Sequence, residues 1–419
     1  MSKPNVTQLG ESMRFEWPDE IVVELDRFYD GRGDISAEAT IYSQIAPNPG
    51  LLHHARLNLM STQARATLAK QLESRVKVVD WPAMLEQLCY IAVDRYRCGE
   101  DPIDLCDVDP YAQPKWLRYP YVEYGGPTIL YADGMVGKSI IALWIATEVA
   151  LGVRDSQGKV QDHHNVLYLD WETSREVHAE RLIALCAGMG IDQLARPSIK
   201  YRRMTASLSQ SADAVRKWIA KGNIGLVVVD SLGMAGDGPP EEAATALGLA
   251  RAINSLNVPT LCIHHKRKAA YGVKSENERE RLFGSVYYAN FARLVWEMER
   301  AQDEASGTTD VALVNVKRNN GPLLKRHALH IEFVNVDDRM QSVKVAKAEL
   351  TDVPAFASRV PLRDRIMAEL RECTMATAAE LAENLDVDKN QIQVRLSEMR
   401  TRGTVLKLPD SRWGLVAHE

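Results

Sequence analysis

The sequence predicts an α/β fold with a largely parallel central sheet, between a helical N-terminal domain and a small C-terminal domain. Short β-rich runs alternate with helical patterns from about residue 118 to residue 345, as expected where helices connect parallel strands. The first runs are apolar almost throughout, which favours strands covered on both faces. The predicted strands are Thr128–Tyr131, Asn165–Asp170, Ile224–Asp230, Thr260–His264, Ala292–Met298, Val311–Lys317 and His330–Val334.

Three domains are expected, because 419 residues exceed what one hydrophobic core usually serves. Residues 1–110 form the first, in which Leu51–Ser74 and Trp81–Arg97 carry apolar residues at helical spacing. The acidic, proline-containing stretch Glu100–Pro114 is interpreted as a linker. The α/β domain then covers 111–350, and the last domain 358–419.

The last domain has the pattern of a winged helix-turn-helix, with three helices followed by a two-stranded wing. Thr377 and Glu380 form a predicted capping box at the start of the second helix. The predicted helices are Arg363–Arg371, Thr377–Leu385 and Asp388–Arg402, and the predicted strands are Thr404–Leu408 and Trp413–Val416.

The composition is that of a soluble globular protein, with 46% hydrophobic and 26% charged residues. No apolar run is long enough to cross a bilayer, and Met1–Arg14 lacks the apolar core of a signal peptide. The six cysteines are scattered without metal-ligand spacing, which fits a reducing cytoplasm. A net charge of −5 argues against a globally basic nucleic-acid binder, although a local basic surface stays open.

Residues 131–139 (YADGMVGKS) have the order of a phosphate-binding loop, with an apolar strand before them and an apolar helix after them. Backbone N–H groups of such a turn face phosphate oxygens, Lys138 would reach the β- and γ-phosphates, and Ser139 would ligate Mg²⁺. Ala132 departs from the usual glycine, with Gly134 two residues later. The residues predicted to bind the nucleotide are Gly134, Val136, Gly137, Lys138, Ser139 and Ile140.

Two acids end buried strands after this loop. Glu172 follows LYLDW and could orient or deprotonate the attacking water, although an acid there could also cap the next helix. Asp230 ends LVVVD, and its carboxylate would hold Mg²⁺ opposite Ser139.

Further polar residues end the later strands. His265 could contact the γ-phosphate, with a core histidine as the alternative, and the basic loop Lys266–Arg281 could contact a ligand or simply be solvated. Arg293 enters a strand, and Lys317 and Arg318 end another. A cation placed in this way either pairs internally or reaches a neighbouring subunit's nucleotide as an arginine finger.

This ordered set resembles the RecA-like P-loop ATPases, and within them the RepA-type and DnaB-like hexameric helicases. The resemblance covers Thr128–Gly321 and comprises the phosphate loop, LYLDWE, VVVDS, IHHK, GSVYYANFARLVW and KRNNG. It implies ATP and Mg²⁺ as cofactors, Glu172 as the catalytic carboxylate and His265 as the γ-phosphate sensor. Arg293 falls where RepA-type helicases carry the arginine finger, whereas Lys317 and Arg318 fit the trans-acting motif of the DnaB-like group.

The resemblance also implies a homo-oligomer, expected to be a hexamer, with single-stranded DNA in a central channel. Two loops are candidates for that channel: Gly233–Glu242, which is acidic, and Lys266–Arg281, which is favoured and supplies Lys266, Arg267, Lys268 and Lys274. In the last domain, Lys389 and Arg395 would contact DNA. However, residues 352–419 contain ten Lys/Arg and eleven Asp/Glu, so a protein partner there or at the N-terminal domain is the alternative.

The leading hypothesis is a cytoplasmic, ring-forming Mg-ATP-dependent DNA motor without a membrane partner. It would be a replicative helicase or a helicase-like replication protein of a plasmid, phage or mobile element. The alternative is a RecA-like ATPase switch that regulates or loads partners on DNA without unwinding it. A third reading, a transcription regulator with an inactive ATP site, rests on Ala132 and the wing.

Overall fold

The computed structural model describes most of the chain, and its strands form four separate sheets of five, nine, three and two strands. None of the described helices has the length and apolar composition that crossing a membrane would require. The described residues are 3–9, 12–18, 20–31, 33–45, 50–99, 102–112, 115–152, 163–192, 195, 197–266, 287–301, 307–357 and 360–416.

The N-terminal domain is an antiparallel sheet with two helices packed on one face. Its strands pair in sequence order, so each is joined to the next as in a meander. Side chains alternate along them, and the apolar set packs against the helices in one core. The elements are β1 (Asn5–Leu9), β2 (Ser12–Trp17), β3 (Ile21–Gly31), β4 (Asp34–Ser43), β5 (Gly50–Asn58), α1 (Thr62–Glu73) and α2 (Trp81–Cys98).

The prediction of a helical N-terminal domain is therefore wrong for its first half. Ile21, Val23 and Leu25 are fully buried while Val22 and Glu24 between them are not, which is the two-residue period of a strand. The predicted helix Leu51–Ser74 is in fact β5 followed by α1, whose N-cap is Ser61. Alternating residues on a strand were mistaken there for the face of a longer helix. The second helix was predicted correctly.

The central sheet carries the order β10-β9-β11-β12-β8-β13-β14-β15-β16. Its strands up to β13 are parallel, and the last three are antiparallel. A separate ribbon of β6 (Trp116–Arg118) and β7 (Val122–Glu123) precedes it. The sheet strands are β8 (Thr128–Ala132), β9 (Asn165–Asp170), β10 (Ile199–Arg203), β11 (Ile224–Asp230), β12 (Thr260–His265), β13 (Leu294–Arg300), β14 (Thr308–Arg318), β15 (His327–Val336) and β16 (Arg339–Ala348).

Helices cover both faces of this sheet, which explains why its first strands are apolar throughout. Two large apolar clusters form, one on each face. The α/β fold and the mostly parallel sheet were therefore predicted correctly. The helices are α3 (Lys138–Leu151), α4 (Arg175–Gly188), α5 (Leu208–Gly222), α6 (Leu232–Ala235), α7 (Ala243–Ser255) and α8 (Tyr287–Phe291).

Two strands of the central sheet were missed by sequence. β10 is an edge strand with exposed Lys200, Arg202 and Arg203, so it lacks the apolar run of its neighbours. β16 is half polar, so it lacks a continuous apolar run, and it forms the other edge, where it packs against α4. A Cβ on Gly188 would lie 2.0 Å from the Val343 carbonyl oxygen, so only glycine permits this approach.

The C-terminal domain follows a short helix α9 (Pro354–Ala357) and contains the predicted helices and hairpin. The capping box is present, because Thr377 and Glu380 each accept the other's backbone N–H. A short added strand completes a sheet of order β17-β19-β18. The elements are α10 (Leu362–Cys373), β17 (Met375–Ala376), α11 (Ala378–Asn384), α12 (Lys389–Thr401), β18 (Val405–Lys407) and β19 (Trp413–Leu415).

Candidate nucleotide site

The loop between β8 and α3 lies at the carboxyl edge of the parallel strands. Its left-handed backbone positions are Met135 (φ 64°) and Gly137 (φ 92°), not Gly134. Ala132 is a fully buried strand residue that pairs in register with His265. It needs no left-handed conformation there, so alanine fits where glycine is more usual. Val136 and Ile140 contribute to the core beneath the loop, and Ser139 lies in the first turn of α3.

Lys138 is buried beneath the loop it serves. Its Nζ donates to the carbonyl oxygens of Asp133 at 2.6 Å and Ala132 at 3.2 Å. Burial lowers the pKa of its ammonium, and the nearby carboxylates of Glu172, Asp230 and Asp133 oppose that change. A phosphate oxygen would be a stronger acceptor than these neutral carbonyl oxygens. The Lys138 ammonium would therefore exchange a carbonyl oxygen for a phosphate oxygen when a phosphate binds.

Asp230 and Ser139 form the candidate Mg²⁺ position. Asp230 is buried, accepts a 2.7 Å hydrogen bond from Tyr168 Oη and interacts with the Ser139 hydroxyl. Burial raises the pKa of Asp230, and these hydrogen bonds counter the increase. Hydroxyl and carboxylate oxygens are the ligands that a hard cation prefers, so the residues present fit Mg²⁺.

Glu172, just after β9, and His265, at the end of β12, lie close together across the carboxyl end of β11. His265 Nε2 is 3.7 Å from Glu172 Oε1, and the Ser231 hydroxyl donates to the same carboxylate. The contact with His265 lowers the pKa of Glu172, which keeps the carboxylate ionised and able to accept a proton. The N-cap of α4 is Ser174, so Glu172 does not take that alternative role.

Asp170 is a component of the site that sequence reasoning missed. Its carboxylate is fully buried and accepts from the backbone N–H groups of Glu172 and Thr173 and from Tyr201 Oη. Asp170, His178 and Asp230 also place possible metal-ligand atoms within 4.8 Å of one another. Because the oxygens of Asp170 already accept several donors, the group fits a hydrogen-bonded network better than a second cation site. The signal was present in the sequence as the acid that ends β9.

A groove of about 450 Å³ opens beside the phosphate loop. Ile331 and Phe333 supply apolar surface, and Asn335 adds an amide. Arg300 closes one side, with its guanidinium donating to the Met135 carbonyl at 3.3 Å and to Thr309 Oγ1 at 3.2 Å. The groove offers room for the part of a nucleotide that lies beyond its phosphates.

Lys266, predicted to contact DNA, is engaged inside the chain. Its Nζ lies 2.7 Å from Glu297 and 3.7 Å from Glu299, and its backbone N–H donates to Ala132. The side chain therefore bridges the ends of β12 and β13 next to the phosphate loop. The other predicted contacts in this loop, Arg267, Lys268 and Lys274, lie outside the described residues.

Three candidate trans-acting cations lie at the opposite, amino edge of β8. Leu294, the neighbour of Arg293, pairs with Thr128 at the start of that strand, and Arg318 pairs with Leu294. Arg293 is exposed, its side chain packs against Gly126, and within the described part of the chain its guanidinium has no ion pair or hydrogen bond.

The other two cations at this edge have internal partners. Lys317 Nζ donates to the carbonyls of Ala289, Asn290 and Ala292 at 2.7–3.0 Å, so it closes the end of α8. Arg318 forms a buried ion pair with Glu123 at 2.6 Å and lies over the ring of Trp116. These contacts favour Arg293 among the three, and a role of any of them in a neighbour's site stays a prediction.

In the C-terminal domain, Lys389 and Arg395 lie exposed on α12. Arg395 pairs with Glu398 at 2.5 Å on the same helix, which offsets part of its charge. The residues of α12 that are predicted to contact DNA are therefore exposed, but the surface that they form is not strongly basic.

Solved structures that are distantly similar to this chain include those of two proteins of low sequence identity. A KaiC-like protein from the hyperthermophilic archaeon Pyrococcus horikoshii OT3 is 11% identical over 54% of this chain and 93% of its own, with a TM-score of 0.36. The flagellar accessory protein FlaH from Methanocaldococcus jannaschii is 10% identical over 53% and 89%, with a TM-score of 0.34. These scores are too low to carry an argument about this chain. No curated protein matches the sequence.

A family profile described as an AAA domain matches residues 94–271. The matched range contains the phosphate loop with Lys138 and Ser139, and it also contains Glu172, Asp230 and His265. Together with the parallel sheet and the loop geometry, this match supports the assignment of the central domain as a P-loop ATPase domain.

Proposed function

We propose that this chain hydrolyses Mg-ATP in sites shared between copies in a ring, and that the ring moves along DNA. In this proposal it is a replicative helicase, or a helicase-like replication protein, of a plasmid, phage or mobile element. One observation carries the ATPase part: Lys138, Ser139, Glu172, Asp230 and His265 meet at one edge of the sheet. The order of motifs, which resembles the hexameric helicases, supports the DNA part.

The chemistry follows from the charge state of each side chain. Glu172, whose pKa is lowered by the nearby His265 and by the hydrogen bond from Ser231, would accept the proton of the attacking water. Lys138 would balance charge on the β- and γ-phosphates. Mg²⁺, when held by Ser139 and Asp230, would neutralise charge on the phosphate oxygens.

The position of Arg293 supports the proposal that neighbouring copies share nucleotide sites. The parallel strand β8 has five residues, so the Cα atoms of its first and last residues are about 13 Å apart, at a rise of about 3.3 Å per residue. Arg293 is at one end and the phosphate loop at the other. The guanidinium therefore does not reach the phosphate loop of its own chain. The site that it could complete is the nucleotide site of a neighbouring copy.

The test is an ATPase assay with and without Mg²⁺ and single-stranded DNA, alongside strand separation of a forked duplex. Wild-type protein is expected to hydrolyse ATP faster with DNA and to unwind the fork, whereas Lys138→Ala should lose turnover by about 100-fold or more. The mass of the particle with and without Mg-ATP would report the ring. Turnover that Lys138→Ala does not change would refute the site.

A second candidate is an ATPase switch that regulates or loads partners on DNA without unwinding. It is favoured by the internal partners of two predicted DNA contacts, since Lys266 pairs with Glu297 and Arg395 with Glu398. Turnover and assembly that do not respond to DNA, with no strand separation, would select this alternative over the motor.

A further inference from the structure

We propose that the edge strand β10 positions the catalytic carboxylate Glu172, through Tyr201, Arg203 and the buried Asp170. A separate arm, Tyr168, positions the Mg²⁺-binding Asp230. This inference rests on the proposed ATPase function and adds to it the residues that hold the two carboxylates in place. None of these four residues would touch the nucleotide, so each acts through another side chain.

The turn that bears Glu172 is fixed from the inside by Asp170. The backbone N–H of Glu172 donates to Asp170 Oδ1 at 2.9 Å, and the N–H of Thr173 donates to both carboxylate oxygens at 3.2 Å. Asp170 is fully buried at the end of β9. A buried carboxylate that accepts consecutive backbone N–H groups leaves the turn little freedom, so the direction in which Glu172 leaves the sheet is set by Asp170.

The same turn is held from the outside by β10. Tyr201 Oη donates to Asp170 Oδ2 at 2.8 Å and lies 3.2 Å from the Thr173 carbonyl oxygen. Arg203 donates to that carbonyl at 2.7 Å. Asp170 on β9 therefore accepts the hydrogen bonds of the turn's N–H groups, and side chains of β10 donate to its carbonyl oxygen. Register supports this arrangement, since Arg203 pairs with Asp170 in the sheet.

Tyr168 and Asp170 are two residues apart on β9, so their side chains lie on the same face of the sheet. Tyr168 Oη donates to Asp230 Oδ2 at 2.7 Å. The ring of His178 packs between the two arms, with its centroid 4.5 Å from that of Tyr168 and 5.5 Å from that of Tyr201. The two tyrosine hydroxyls thus serve two different carboxylates, which makes their effects separable.

The decisive experiment compares Tyr201→Phe with Tyr168→Phe, each of which removes a single hydroxyl. We expect Tyr201→Phe to lower kcat about tenfold, because small displacements of a catalytic group are costly, while KM for ATP and the Mg²⁺ requirement stay near wild type. We expect Tyr168→Phe to raise the half-saturating Mg²⁺ concentration about tenfold, the usual result of losing a hydrogen bond to a metal ligand. Saturating Mg²⁺ should restore its turnover.

The matched control for Tyr201→Phe is Tyr124→Phe, since both tyrosines are half-buried and the Tyr124 hydroxyl also contacts a polar side chain, that of His164 at 3.4 Å. It should leave kcat, KM and the Mg²⁺ requirement unchanged. Asp170 gives a graded series: Asn keeps an acceptor for the two N–H groups and Ala removes it. Turnover should therefore fall in the order wild type, Asp170→Asn, Asp170→Ala, with affinity for a non-hydrolysable ATP analogue retained in the Asn variant.

The proposal is overturned if Tyr201→Phe and Asp170→Asn hydrolyse ATP at the wild-type kcat while Lys138→Ala does not, a result that leaves the ATPase function intact. It is also overturned if both tyrosine variants change the same kinetic parameter in proportion to a loss of thermal stability, as a purely structural role predicts. A failure of the proposed ATPase function gives a different result: the wild-type protein does not hydrolyse ATP, or its turnover is unchanged by Lys138→Ala.

Discussion

The two edges of the parallel strands differ in how far their charged groups are engaged. At the carboxyl edge, Lys138, Glu172 and Asp230 interact with one another and with the loop. At the amino edge, the side chains of Lys317 and Arg318 are bound to their own chain, whereas the Arg293 side chain is exposed and its guanidinium has no polar partner among the described residues.

The two edges would contribute different parts of a shared nucleotide site. In the proposed site, the carboxyl edge supplies the phosphate loop, the proton acceptor Glu172 and the Mg²⁺ ligands Ser139 and Asp230. The amino edge holds a guanidinium that this copy cannot use at its own loop. In the proposed ring, the phosphate loop of one copy and Arg293 of the next would meet across a head-to-tail interface.

Arg293 is the amino-edge residue whose removal should have the largest effect. Arg293→Ala should lower ATP turnover about 1,000-fold, the lower range for loss of an arginine finger, and leave nucleotide binding by the isolated chain unchanged. Mixing it with Lys138→Ala subunits should restore activity, because some interfaces then pair an intact loop with an intact arginine. The measurement is ATPase rate against mixing ratio, with Arg339→Ala, an exposed arginine on β16, as the control.

Two results would contradict that prediction. Full activity of Arg293→Ala would assign the finger to another cation. An inactive variant that mixing never restores would place Arg293 in its own chain's site or in assembly, and the particle mass would distinguish these two.

The second prediction concerns Arg318 at the same edge. Its pair with Glu123 is buried, with exposed side-chain fractions of 7% and 1%, so Arg318→Ala should lower the free energy of unfolding by about 3–5 kcal/mol. Arg293→Ala should change it by less than about 0.5 kcal/mol, as exposed positions usually do. Urea unfolding of the two variants is the measurement. Equal stability would mean that the buried pair does not anchor the β6–β7 ribbon to β14.

The third prediction uses pH to separate the two carboxylates at the nucleotide edge. Burial raises the pKa of Asp230, while the contact with His265 lowers that of Glu172. As pH falls, protonation of Asp230 should weaken Mg²⁺ binding, so the half-saturating Mg²⁺ concentration should rise and saturating Mg²⁺ should restore turnover. A loss of kcat that saturating Mg²⁺ cannot reverse in this range would show that Glu172 titrates first.

The raised pKa of Asp230 also makes the free energy of unfolding depend on pH. A raised pKa in the folded state gives stability that is present below the unfolded pKa and is lost as pH rises through the folded one. Without Mg²⁺, Asp230→Asn should therefore stabilise the protein at neutral pH by about 1–2 kcal/mol, a common size for one substitution. Thermal unfolding at neutral and mildly acidic pH should show the gain shrinking as pH falls, since the wild-type carboxyl then becomes neutral as well.

The sequence predicted the parts of the structure whose signal is local. The strands that end at Asp170 and Asp230 were placed to the residue, because apolar runs followed by an acid are unambiguous when both faces of the sheet are covered. The strands of the N-terminal domain were not recognised, because their alternation is mixed with charged residues and continues into a helix. The roles of Tyr201 and Asp170 depend on a pairing between β9 and β10, which no local pattern encodes.

The smallest expected effect concerns Ala132, where the phosphate loop departs from the usual glycine. Ala132 is a buried strand residue between β12 and β13, so Ala132→Gly should cost about 0.5–1 kcal/mol of stability through added freedom of the unfolded chain. It should change neither nucleotide affinity nor turnover, because the left-handed positions of the loop are Met135 and Gly137.

Gly137→Ala is the matched contrast to Ala132→Gly. Its backbone φ of 92° disfavours any side chain, so this variant should lose nucleotide affinity as the loop leaves its conformation. Titration of a fluorescent ATP analogue compares the two variants directly. If Ala132→Gly instead accelerated turnover several-fold, the alanine would be a brake on the loop, and the ATPase-switch alternative would gain over the motor.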